Sequence, residues 1–184
     1  MEMSGDRVVP VPQQAAWDAL NDPEVLKACI PGCESLESDA DGGFHAVVRV
    51  AVGPVRARFK GRVTLSDILA PDSYTLAFKG EGAAGFAQGE SQVRLVPSNS
   101  AAETAIHYTA NAKIGGKLAQ VGSRLIDGAA NKIAGEFFAN LTQRLGGDTA
   151  APVGEGEPVE QSKEKKGILG FFKKGKGGKD AAPE

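Results

Sequence analysis

The chain has 184 residues, 41% of them apolar, and a formal net charge of −2 at pH 7, which fits one domain with an appendage and a sizeable core. Residues 1–146 are close to neutral, with 14 basic and 16 acidic side chains, whereas residues 163–179 carry seven lysines against Glu164. No apolar run approaches the ~18 residues of a spanning helix and MEMSGDRV lacks a signal-peptide core, so the expectation is a cytoplasmic protein whose membrane contact, if any, is peripheral.

In chain order, residues 2–9 read as a short strand ending at Pro10. Pro12 opens a helix carrying Ala15, Ala16, Trp17 and Leu20. Asp22-Pro23 is a second helix start, with Asp as N-cap and Pro at the first helical position, and Pro31-Gly32 ends that helix. From Glu34 to Ile114 the apolar period becomes two. Phe44, Ala46, Val48, Val50 and Val52 form one inward set. After the Gly53-Pro54 turn, Val55, Ala57, Phe59, Gly61, Val63 and Leu65 alternate with Arg56, Arg58, Lys60, Arg62 and Thr64. Later strands place Tyr74, Leu76, Phe78, Gly80 and Gly82, then Val93 and Leu95, then Ile106, Tyr108, Ala110, Ala112 and Ile114 inward. About six strands joined by hairpin turns make an antiparallel meander with one wet face.

The last element is the longest. Over 117–145, Val121, Leu125, Ala129, Ile133, Phe137, Leu141 and Leu145 recur at i+4, with Leu118, Ile126, Ala130, Ala134 and Phe138 beside them. At about 1.5 Å per residue this is a rod of roughly 43 Å. The fold class is therefore α+β: a strand, two short helices, the meander, and a long helix gripped by a curved sheet. Gly122, Gly128 and Gly135 cost the rod about 1 kcal/mol each in propensity, so they mark either close packing or the roof of a cavity. Facing them, Gly61, Gly80, Gly82, Ala87, Gly89, Ser91, Ala110 and Ala112 are small too. A curved sheet cannot follow a straight helix along its whole length. The expectation is an apolar cavity lined by Phe59, Phe78, Phe86, Tyr108, Leu118, Val121, Leu125 and Ala129, suited to a hydrophobic small molecule.

Candidate catalytic chemistry is thin. His45 and His107 fall on the outer side of the alternation, and the sequence shows no nucleophile–histidine–acid set or phosphate loop. Cys29 and Cys33 flank Ile-Pro-Gly, but zinc needs further ligands that nothing nearby supplies, so they read as packing thiols. No catalytic residue, metal ligand or covalent cofactor is expected.

Beyond Leu145, GGDTAAPVGEGEPVEQS has almost nothing to bury, and 147–162 reads as a disordered acidic linker. Residues 163–184 then hold Ile168, Leu169, Phe171 and Phe172 on one side of a helical turn, between Lys165, Lys166, Lys173 and Lys174. Lysines contribute up to about 1 kcal/mol each near an anionic bilayer and the aromatic groups bury in its headgroup region. This basic amphipathic tail is expected to bind an anionic membrane surface without spanning it. Nucleic-acid binding would explain the lysines and not the Ile-Leu-Gly-Phe-Phe block, so no nucleic-acid partner is expected.

Four segments carry a resemblance: AWDALNDPEVLKACIPGCESLE, VAVGPVRARFKGRV, GEGAAGFAQGESQVRL and KIGGKLAQVGSRLI. Together, and above all through Asp22, Pro23, Glu24, Cys29, Pro31, Gly32 and Cys33, residues 1–146 resemble the G-subunit family of carbon monoxide dehydrogenase. That family lies in the START-like, polyketide-cyclase-like helix-grip superfamily. Ser100–Thr104 departs from the family's usual Gly-Thr, a hairpin difference. The resemblance implies a helix-grip fold with a cavity under the last helix. It also implies a partner, a molybdenum carbon monoxide dehydrogenase or related hydroxylase whose electrons enter quinone at the membrane. The expectation is then a non-catalytic accessory protein at the inner face of the cell membrane. It would recruit the dehydrogenase and hold a quinone, menaquinone or ubiquinone, with Tyr108 meeting a ligand oxygen. A ligand-free assembly factor and a helix-grip cyclase or hydrolase are the alternatives.

Overall fold

The computed structural model describes residues 1–146; the linker and the lysine-rich tail read from the sequence lie outside the described residues. Seven strands form one antiparallel sheet: β1 (Glu2–Val9), β2 (Cys33–Ser38), β3 (Phe44–Val52), β4 (Val55–Leu69), β5 (Ser73–Gly82), β6 (Gly85–Pro97) and β7 (Thr104–Gly115). Their order is β1-β7-β6-β5-β4-β3-β2, so the meander from β2 to β7 is followed across the sheet and β1 adds to its far edge. Helices α1 (Gln13–Asn21) and α2 (Pro23–Cys29) connect the two edges, and a short 3-10 helix (Gly116–Val121) precedes α3 (Ser123–Gly146).

Local chemistry explains the boundaries. The Asp22 carboxylate accepts from the amides of Glu24 at 2.8 Å and Val25 at 3.4 Å, satisfying donors that the helix start leaves free. Gln13 ties α1 to the β4–β5 turn by donating to Asp72 Oδ1 at 2.8 Å and to the Leu95 carbonyl at 2.9 Å. Asn140 on α3 donates to the Cys29 carbonyl at 3.0 Å, which pins the end of α2 to the long helix. β4 alternates as the sequence requires, with Arg56, Arg58, Lys60 and Arg62 exposed and Phe59 buried.

The rod expected over 117–145 is broken. Gly122 has φ +94°, and the residues before it form the 3-10 turn rather than α-helix. A left-handed residue cannot sit inside a right-handed helix, so α3 begins only at Ser123. The i+4 recurrence of apolar groups ran across this break and concealed it.

Apolar packing divides into two cores. The first joins Val9, Trp17, Leu20, Tyr74, Val93, Leu95, Ile106, Phe138 and Leu141, with Trp17 and Tyr74 edge to face at 5.4 Å. The second joins Val52, Phe59, Ala84, Leu118 and Ile126 at the opposite end of the strands.

Candidate functional site

The cross-strand register sorts the inner face into rows, because directly paired residues of an antiparallel sheet project to the same side. Tyr74, Val93, Tyr108 and Gly5 form one row, at the first core. Val48, Phe59 and Gly82 form another, at the second core. Between them run three rows: Leu65-Leu76-Ser91-Ala110, Val63-Phe78-Gly89-Ala112 and Gly61-Gly80-Ala87-Ile114. Gly80, Ala87, Gly89, Ser91, Ala110 and Ala112 therefore meet in one patch. All are half-buried and none belongs to either core. Above them α3 presents Ala130, Ile133 and Ala134, half-buried as well. The site is a band of small side chains beneath α3, with close-packed groups at both ends.

Not every glycine there serves the same purpose. A side chain at Gly89 would run into the Asn111 carbonyl on the neighbouring strand, so that glycine permits strand approach. At Gly80 an added Cβ would meet its nearest atom at 3.8 Å, an ordinary contact, so the space over it is free.

The residues expected to line a cavity divide. Phe59, Leu118, Val121 and Ala129 gather in and around the second core, and Phe78 lies in the small-residue band. Tyr108 belongs instead to the first core, stacked on Phe138 at 5.3 Å with the ring planes 23° apart. Its ring lies over Gly5, where a side chain would collide with it.

Two expectations fail. Phe86 pairs with Glu81 and Gly115 and shares their side, opposite to Ala87, so it sits on the outer face. Leu125 is 46% exposed and lies beside Gly53 at the β3–β4 turn, because the break at Gly122 resets the helical phase. The helix glycines also do not mark close packing: an added Cβ at Gly122, Gly128 or Gly135 meets nothing within 4 Å.

Arg7 is a residue that the sequence alone did not single out. Strand alternation turns it inward, in line with Ile106 and Leu95, and its guanidinium carbon lies 5.9 Å from the Phe138 ring centroid. Alternation counted back from the buried Val9 is the signal that finds it.

Among the described residues, two of the depressions open to solvent bear on the site. One of about 490 Å³ lies where β1 and β7 meet the start of α3, bordered by Met1, Ala112, Ile114, Ala119, Ile126 and Asp127. Ala112 and Ile114 end two rows of the small-residue band, so this opening lies at the edge of that band, with the charged Glu2 and Lys113 also on its rim. The other, about 610 Å³, is a trough of mixed lining at the β1, β5, β6 and β7 strands, where Asp6, Thr75, Gln92, Arg94 and His107 meet Leu69 and Val93. No motif in the chain hints at it.

Titratable groups cluster at the β2–β3 edge rather than in the groove. Glu34 is held below its usual range by hydrogen bonds from Arg58 and Arg49. Asp39 is lowered mainly by the Gly43 amide at 2.8 Å and then by Arg62 at 2.9 Å. Burial raises the Cys29 thiol, which is free and 1% exposed. Among the described residues, no three His, Cys, Asp or Glu side chains converge on a metal-sized site.

A curved antiparallel sheet gripping a C-terminal helix over a half-open groove defines the START-like class. A START superfamily protein from Mycobacterium smegmatis has the same fold at TM-score 0.59 and 12% identity, over 78% of this chain and 96% of that one. The Zhui aromatase/cyclase from Streptomyces sp. R1128 is equally close in fold, with TM-score 0.59, 12% identity, and 79% and 93% of the two chains covered. A conserved protein from Geobacillus kaustophilus is nearer, with TM-score 0.75 and 30% identity over 79% of this chain and 95% of that one. Residues 5–146 match the family model of the carbon monoxide dehydrogenase G subunit, CoxG, and the chain belongs to that family. No curated protein matches it in sequence.

Proposed function

We propose that the protein is a non-catalytic carrier. It accepts a hydrophobic, quinone-like molecule in the groove beneath α3 and brings a molybdenum carbon monoxide dehydrogenase to the membrane. The observation that carries this reading is the gap between the two cores. Interiors are normally packed to crystal density, yet here Gly80, Ala87, Gly89, Ser91, Ala110 and Ala112 leave a half-buried band. A flat, apolar ring system fits such a band better than a polar metabolite, since its side chains offer few hydrogen-bonding groups beyond Ser91. The quinone follows from the family's named enzyme, whose electrons need an acceptor. The same scarcity of polar groups weighs against a cyclase or hydrolase reading, which requires positioned acid–base residues within the groove. The tail's lysines and its Ile168, Leu169, Phe171 and Phe172 would supply the membrane contact.

The test is mass spectrometry of organic extracts from the intact, natively purified protein, with titration of the extracted protein by menaquinone and ubiquinone analogues. A co-purifying prenylated quinone, or saturable binding of an analogue, is the expected result. An empty protein that binds neither analogue leaves only a recruiting role.

A further inference from the structure

The body is electrically polarised along its strands. Three connections lie at one end: the β3–β4 turn, the β5–β6 turn and the passage from β7 through the 3-10 helix into α3. They converge there, since Gly53 lies beside Leu125 and the Leu118 amide donates to the Ala84 carbonyl at 2.8 Å. Residues 52–56, 82–86 and 114–125 contain no Asp or Glu and include Arg56, Lys117 and Arg124. All three cations are exposed, and among the described residues none pairs with a carboxylate. Pro54, Ala83, Ala119 and Leu125 are exposed beside them. The hairpin turns at the other end, residues 38–43, 70–72 and 98–103, carry Asp39, Asp41, Asp72 and Glu103 and no Lys or Arg, although Arg62 on β4 pairs with Asp39 and Asp41.

We infer that the cationic end is a membrane-docking face of the body, distinct from the tail, whose occupant is an anionic bilayer surface. Charge complementarity selects that partner: small apolar groups ringed by unpaired cations suit lipid headgroups, while the acidic turns point away from them. Position gives the face its use. Ala119 and Ser123 border both this end and the opening at the edge of the small-residue band, whose rim carries Lys113 as well as Glu2 and Asp127, so docking brings that opening beside the bilayer. A hydrophobic guest then passes between lipid and groove without crossing water. That use rests on the carrier reading; the docking itself does not.

The experiment uses the full chain carrying Leu125→Trp and vesicles free of quinone, made of phosphatidylcholine with or without phosphatidylglycerol. The native Trp17 is buried and its emission is subtracted with the unsubstituted protein. The expected result is a blue-shifted L125W emission, quenched by nitroxide-labelled lipid, in the anionic vesicles alone. Adding Lys117→Glu and Arg124→Glu abolishes the quenching while the tail keeps the protein sedimenting, and vesicle affinity falls about fivefold per cation removed. Emission that ignores anionic vesicles, or that shifts only when the dehydrogenase is added, overturns the proposal, the latter in favour of an acidic protein surface. Quinone uptake that persists without L125W quenching leaves the carrier standing and removes the docking face. Quenching without any uptake does the reverse.

Discussion

The guanidinium carbon of Arg7, on the edge strand β1, lies 5.9 Å from the ring centroid of Phe138 on α3. Tyr108 stacks on the same ring at 5.3 Å, so Phe138 is shared by an edge cation, a sheet aromatic and the first core. The two sides of this contact differ in what they contribute. Phe138→Ala removes a buried ring and is expected to cost about 3–5 kcal/mol. Arg7→Met keeps the apolar stem over the ring and loses the cation–ring attraction, about 0.5–1 kcal/mol at a partly open site, together with an exposed hydrogen bond to the Asp6 carbonyl. Urea unfolding of both variants checks the ordering, and equal losses would mean that Arg7 holds β1 in place by some other contact.

Filling the groove separates space from stability. Gly80→Leu projects a side chain into free space over the small-residue band and replaces glycine in a strand, so the fold should tolerate it. Uptake of a menaquinone analogue is expected to fall at least tenfold with the unfolding midpoint nearly unchanged. Binding equal to that of the unsubstituted protein would place the ligand elsewhere.

The glycines of the last helix give an opposite forecast. Gly128 and Gly135 are helical, and a methyl group at either meets nothing. Gly128→Ala and Gly135→Ala should each stabilise the protein by about 0.5–1 kcal/mol without altering uptake. Gly122→Ala should destabilise it by about 1 kcal/mol or more, because φ +94° is disfavoured for a side chain. Thermal unfolding of the three variants reads the signs directly.

Much of this arrangement was legible in the chain. The Asp22-Pro23 cap, the alternating cations of β4 and the inward run from Ile106 to Ile114 each express one local rule, and each appears where that rule puts it. The small-residue face could be read for the same reason, since strand parity alone assigns Gly80, Gly89 and Ala112 to one side. Three features were lost, one to a reset of helical phase and two where hydrophobic character outweighed strand parity. Gly122 interrupts the helix without interrupting its apolar recurrence. Phe86 follows Gly85, at φ +127°, and falls on the outer face although hydrophobicity suggested the inner. Arg7 turns inward by ordinary parity, and what the chain does not show is the ring on a distant helix that lies beside its charge.

Acid should loosen the β2–β3 edge first. Asp39 and Glu34 have folded pKa values below their unfolded ones, through the Gly43 amide and Arg62 for the first and through Arg58 and Arg49 for the second. Their contribution to stability is therefore complete above the ordinary carboxylate range and is lost as pH falls through the lowered values. Both carboxylates are half-buried but their arginine partners are exposed, so the effect is a change of slope rather than a collapse. Stability of Asp39→Asn, followed by urea unfolding from neutral pH to below about pH 4, is expected to fall less steeply than that of the unsubstituted protein. Coincident slopes would show that Asp39 gains nothing from its partners on folding.

Deleting residues 163–184 tests the tail against the body. Removing seven lysines and Ile168, Leu169, Phe171 and Phe172 should lower affinity for anionic vesicles by at least about a hundredfold at physiological salt. The exposed cations of the loop end give only a weak residual attraction, because Arg56, Lys117 and Arg124 are few and salt screens them within about 8 Å. Residual binding that vanishes on adding Lys117→Glu and Arg124→Glu assigns it to that end. A truncated protein that sediments as completely as the full chain would remove the anchor from residues 163–184 and leave the body alone to hold the membrane.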